Sequence, residues 1–206
     1  MPDQPLLDWA IARRPVPGEV DCGDVATVLT TGARMVMAVI DGLGHGAPAA
    51  RSASLAAEAI EKHEAEPPDV LLRRTHEALM GTRGAAATVA VVDGPGRRLD
   101  WLGVGNVDGV LVRADRWARP AVHGVFLAAG VLGDRLPVLF RPGPITLSPG
   151  DRLVLATDGI RADLAEVGRS ELQVDRLARK VLADAAIPDD DALVLVASVR
   201  GGGGAR

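Results

Sequence analysis

Four acidic sites along this chain share one local setting: Gly23-Asp24, Asp41-Gly42, Asp158-Gly159 and the triplet Asp189-Asp190-Asp191. Each falls at the end of a β-rich run or in a tight turn. Strand ends of packed sheets converge on one rim, and carboxylates gathered there repel one another unless a cation neutralises them. Hard divalent ions such as Mg2+ or Mn2+ take carboxylate, carbonyl and water oxygens, which is the donor set these sites offer. Zinc is disfavoured, because one Cys and four His at unmatched spacings do not make a tetrahedral site. Taken singly the pieces also have plain readings. A lone Asp-Gly is a common turn, Gly23-Asp24 an Asx turn, and the triplet a solvated loop. The segment 41–46, DGLGHG, resists that reading. It sets three glycines and a histidine directly after an apolar strand, where a tight hairpin needs only two residues.

The elements that must position these residues follow from periodicity. Residues 25–30 and 35–41 are short β-rich runs joined through Thr31-Gly32-Ala33-Arg34, which predicts a hairpin. A helix is expected from about Pro48 to His63, with Ala50, Ala53, Ala57 and Ile60 at helical spacing. Pro67-Pro68 breaks it, and a second helix runs over 68–80. Strands are expected at 86–93, 98–104, 109–113 and 136–140, linked by turns such as Asp93-Gly94-Pro95-Gly96. Another lies at 152–157. A third helix spans 171–186, with Ser170 and Gln173 in a capping-box pattern, and the last strand is 193–199. Hairpins dominate and the helices cluster in two places, unlike regular βαβ alternation. The pattern predicts an α+β fold, a four-layer αββα sandwich of two mainly antiparallel sheets flanked by helices. Residues 1–200 read as one domain, and 201–206 as a flexible Gly-rich tail.

Composition narrows the function classes. The 206 residues are 48% hydrophobic and 24% charged, with a net charge of -4. That mild acidity disfavours nucleic acid and anionic membranes as partners. One cysteine cannot form an intrachain disulfide, the first residues lack signal-peptide order, and no apolar run is long enough to span a bilayer. A cytoplasmic location and a monomer are the expectation.

Several stretches together resemble a known family. Asp41-Gly42-Leu43-Gly44-His45-Gly46 is similar to the signature of the SpoIIE branch of the protein phosphatase 2C superfamily, and within it to the small phosphatases of bacterial stress-response modules. Arg14-Pro15 with Gly18-Glu19, Cys22-Gly23-Asp24, GVGNV at 103–107, Ala156-Thr157-Asp158-Gly159 and Asp190-Asp191-Ala192 match in order, over roughly residues 13 to 200. The resemblance implies a phosphatase for phosphoserine or phosphothreonine that uses two divalent cations, Mn2+ or Mg2+. It implies that Asp41 bridges both ions, that the Gly42 carbonyl joins one, that Asp158 and Asp190 bind the other, and that Asp24 acts through water. It implies a phosphorylated protein substrate of STAS-domain type in a stressosome-like switch. Two rival readings are a hydrolase of a small phosphoester and a non-catalytic docking module.

Two departures stand out. Eukaryotic members carry a histidine directly after Asp-Gly as a proposed general acid. Leu43 occupies that place here, leaving His45 either as proton donor or as a loop brace. Asn106 stands where the family has an acidic residue linked to a third metal. Arg13 and Arg14 are candidates to hold phosphate, against a default of ordinary exposed arginines. Cys22 reads as a small buried filler. His63, His76 and His123 have no matched partner and default to surface or core.

Overall fold

The computed structural model describes residues 6–201. The expected flexible tail therefore lies, apart from Gly201, outside the described residues. The chain runs β1 (Leu7–Arg14), β2 (Asp24–Thr31), β3 (Arg34–Gly42), α1 (Gly46–Lys62), α2 (Pro68–Leu79), β4 (Ala85–Asp93), β5 (Arg98–Val104) and β6 (Asp108–Val112). It continues through β7 (Val122–Gly124), β8 (Leu127–Ala128), β9 (Ile145–Thr146), β10 (Arg152–Ala156), α3 (Leu164–Gly168), α4 (Val174–Ala185) and β11 (Ala192–Val199).

Two sheets form, one ordered β1-β11-β10-β6-β7 and the other β2-β3-β4-β5-β8, with β9 added beside β5. Every pairing is antiparallel except that of β5 with β8. The β2–β3 hairpin closes as expected, with Thr31 opposite Arg34 and Gly32 at a φ of +60°, a backbone that glycine adopts without cost.

Strands apolar on both faces belong between two other layers, and β3 is such a strand. Its Val36, Ala38 and Ile40 pack against Ile60, Leu71, Leu72 and Leu79 of α1 and α2. Its Met35, Met37 and Val39 meet Leu153, Leu155, Leu193 and Leu195 of the other sheet, with Trp101 in the same layer. On the far side, Leu164 of α3 and Leu177 and Val181 of α4 cover Val154, Val194 and Val196. The αββα sandwich expected from the sequence is the fold. No helix among the described residues is long and apolar enough to cross a membrane.

Three local details differ from expectation. The strand expected at 136–140 is irregular chain. Pro137 removes a ladder donor, and Leu139, with the half-buried Leu136, turns inward to the helix-side core. The helix expected over 171–186 is α4, which starts later, at Val174, and a short helix not expected from the sequence, α3, precedes it at Leu164–Gly168. Ser170 does not cap a helix: its Oγ accepts from Leu172 N at 3.3 Å, and Gln173 is itself the N-cap of α4 with no side-chain cap bond. Asp163 caps α3, accepting from the backbone N–H groups of Ala165 and Glu166. Finally, β1 was not anticipated, because this half-exposed strand mixes Asp8, Arg13 and Arg14 with apolar residues and pairs with β11 at the other end of the chain.

Candidate active site

The hairpin sets Asp24, the first residue of β2, directly opposite Asp41 near the end of β3. From the other sheet, Asp158 follows β10 while Asp190 and Asp191 precede β11. Thr157 ties the sheets together, its Oγ1 donating to Asp24 Oδ2 at 2.7 Å. Asn106 Nδ2 donates to Asp158 Oδ2 at 2.6 Å and reaches Asp41 Oδ2 at 3.4 Å. The neutral amide thus links carboxylates from both sheets at a single rim.

Close backbone approach makes this rim possible. A Cβ on Gly42 would stand 2.2 Å from Ala49 O, and one on Gly159 would stand 1.8 Å from Asp191 O. The buried Asp191 locks the arrangement from beneath. Its Oδ1 accepts from Val16 N and its Oδ2 from Gly23 N, both at 2.8 Å.

The crowding registers in the acidities. Burial, then repulsion from Asp41, pushes Asp24 up to about 8 against the opposing bond from Thr157. Burial, then Asp158 and Asp190, pushes Asp41 up to about 7. Asp190 is also raised, by burial and then by Asp158, while His45 pulls it down. Carboxylates displaced in this way mark a place built for positive charge. Among the described residues no three Asp, Glu, His or Cys side chains close on one point as a complete metal cage. A hard cation that keeps several waters and takes backbone carbonyls needs no such cage, and the oxygen-only donors suit Mg2+ or Mn2+ better than a softer metal.

His45 is the N-cap residue of α1 without a side-chain cap bond, and its Nδ1 lies 3.0 Å from Glu19 Oε1. Gly44 and Gly46 flank it at φ of +87° and +69°, in the left-handed region that glycine favours. Arg13 and Arg14, the phosphate candidates, each donate to main chain: Arg13 Nη1 to Asp24 O at 3.1 Å and Arg14 to Ile187 O. Cys22 is half-buried, its thiol facing Arg14 O, and burial pushes that thiol up to about 11, too high for a nucleophile at neutral pH. His76 Nδ1 accepts from Gly133 N at 3.0 Å, His63 is the C-cap residue of α1, and His123 lies on β7. The bonding roles of Thr157, Asp191 and Glu19 were not read from the sequence. Each stands within or beside a quoted motif, and no local signal assigns its partner.

This layered fold is that of the protein phosphatase 2C type. The chain belongs to the family described as Stage II sporulation protein E (SpoIIE), whose model matches residues 31–200. Phosphoserine phosphatase RsbX of Bacillus subtilis is 25% identical over 145 residues, which is 69% of this chain and 69% of that protein. A crystal structure of RsbX in complex with magnesium aligns with a TM-score of 0.83 at 19% identity, covering 94% of this chain and 95% of that one. A chain from a study of the bacterial stressosome, a modular system adapted to control secondary messenger signalling, aligns with a TM-score of 0.85 at 29% identity, covering 93% and 98%. The catalytic domain of the serine/threonine phosphatase PstP, in complex with two manganese ions, aligns at 0.72 with 18% identity, covering 95% and 99%.

Proposed function

We propose that this chain is a metal-dependent protein phosphatase that hydrolyses phosphoserine or phosphothreonine on a partner protein. One observation carries the reading: Asp24, Asp41, Asp158 and Asp190 come from two different sheets to one rim, where burial and mutual repulsion raise the pKa of three of them. The name of RsbX, and the magnesium and manganese in the two related structures, support the same chemistry.

In this reading Asp41, the Gly42 carbonyl, Asp158 and Asp190 would hold two divalent cations, Mn2+ or Mg2+. When bound, such a pair supplies Lewis acidity, lowering the pKa of water and offsetting charge on the phosphoryl oxygens. The chain's own residues do the positioning. Asp24, fixed by Thr157 and by its strand partner, orients water at the rim. Asn106 spaces Asp41 and Asp158 without adding another negative charge. Glu19 holds the His45 ring at the mouth, where it serves chiefly as a brace for the glycine loop. The partner is a phosphorylated STAS-domain protein of a stressosome-like switch. The similarity to a chain from a stressosome study supports that assignment.

Asp41→Asn tests this proposal. The change is nearly isosteric and sits at the rim, so thermal unfolding should survive it. Activity on a phosphoserine protein with Mn2+ should fall about a thousandfold or more, since electrostatic stabilisation is the main term in phosphoryl transfer. His45→Ala should cost far less. A folded Asp41→Asn protein with full activity would overturn the assignment. So would a wild-type protein that is inert with Mn2+ on both phosphoprotein and aryl phosphate.

A further inference from the structure

At the end of β6 and β10 away from the acidic rim, these strands border a cavity of about 460 Å3. Arg152 pairs with Val112 at the cavity end of the ladder, whereas Ala156 pairs with Asp108 at the rim end. Four arginines line the cavity, Arg113, Arg116, Arg152 and Arg169, against one carboxylate, Glu171. Arg113 is already compensated. It pairs with the buried Asp151 at 3.4 Å and donates to Thr146 O at 2.8 Å and Ser148 Oγ at 3.2 Å.

The other three are not. Arg152 is half-buried and donates to Ser170 O, yet its Nε is buried with no acceptor. Arg116 and Arg169 are exposed, and among the described residues their side chains have no hydrogen-bonded or ion-paired partner. Gly168 helps bring Arg169 to the mouth, because a Cβ there would stand 2.4 Å from Val112 Cγ2 and lift α3 off β6. Gathering like charges around a half-buried, unsatisfied donor is unfavourable unless an anion completes the set. Guanidinium forks match phosphate oxygens two at a time. Three uncompensated cations against Glu171 call for a multiply charged ligand rather than a single carboxylate. The volume lies within the range of small-molecule sites and exceeds what one phosphate fills.

We propose that this cavity is a second ligand site, separate from the acidic rim, for a small polyphosphate-bearing anion of nucleotide size. Calorimetric titration of the full chain with tripolyphosphate and with ATP tests it, run in chelator so that no cation can recruit phosphate to the rim. Wild type should bind at least one probe, and Arg116→Glu and Arg169→Glu should each weaken it tenfold or more, a loss of about 1.4 kcal/mol per decade. Both variants should keep wild-type thermal stability and Mn2+-dependent turnover of an aryl phosphate, since neither residue lies at the rim. Asp41→Asn should bind as wild type does. Tighter binding of ATP than of tripolyphosphate would assign the cavity to nucleotides, and equal binding to the phosphate chain alone; both support the site. The proposal is overturned if neither probe binds, if both charge reversals leave binding unchanged, or if Asp41→Asn abolishes it.

Discussion

Asp190 and Asp191 are adjacent in the chain, yet their carboxylates meet different surroundings. Asp190 is half-exposed beside Asp158, while Asp191 is buried and accepts two backbone N–H groups. Asp191→Ala leaves those donors without a partner and should cost about 2 kcal/mol, read from urea unfolding with Mn2+ present. Asp24 and Asp41 make a pH prediction. Their folded values of about 8 and about 7 lie above the ordinary aspartate value, so the folded chain binds protons more tightly than the unfolded one. Their contribution is therefore complete below the ordinary aspartate value of 3.8, declines from there as pH rises, and is gone above about 8. In chelator the melting temperature should fall across that window, and Mn2+ should restore more of it at the alkaline end. A metal-free melting temperature that climbs instead would contradict the crowding. The acids at strand ends beside glycine were legible in the sequence. Thr157 and Asp191 were not, because their partners lie 133 and 168 residues away.

Elements with an uninterrupted pattern were read closely: the β2–β3 hairpin, α1, α2, β4 and β11 fall within a few residues of expectation. Those that depend on tertiary partners were not. β1 exists because β11 offers it an edge, and the short α3 exists because Asp163 caps its start and β6 and β10 offer it a surface. The turn after β10 shows how tightly elements are fitted. Gly159 lies under the main chain of Asp191, and backbone cannot move aside as a side-chain tip can. Gly159→Ala should destabilise by about 3 kcal/mol or more, with activity lost alongside. Urea unfolding that matches wild type would show the two segments to be less closely packed than they are here.

Across the whole molecule, each sheet contributes to the central layer on one face and to a helix layer on the other. No layer can dissolve without exposing the apolar surface of its neighbour, so unfolding should be a single cooperative transition. Trp101, 3% exposed between the sheets, reports on the central layer by fluorescence, and far-UV circular dichroism reports on helices and strands together. The two urea curves should superimpose. A separate early loss of helix would show α1 and α2, or α3 and α4, melting off an intact pair of sheets.

The double-sided burial of β3 also bears on how the chain finds its alignment. Sliding this strand by one residue exchanges one apolar set, Met35, Met37 and Val39, for another, Val36, Ala38 and Ile40, so hydrophobic burial barely distinguishes the slipped hairpin from the native one. The distinction comes from its polar end. Only the native register puts Asp41 across from Asp24 and slides the bare backbone of Gly42 under Ala49; a shift would drive a side chain into that carbonyl. The rim thus acts as an index mark, and the residues proposed to hold cations also record whether the hairpin has zipped correctly.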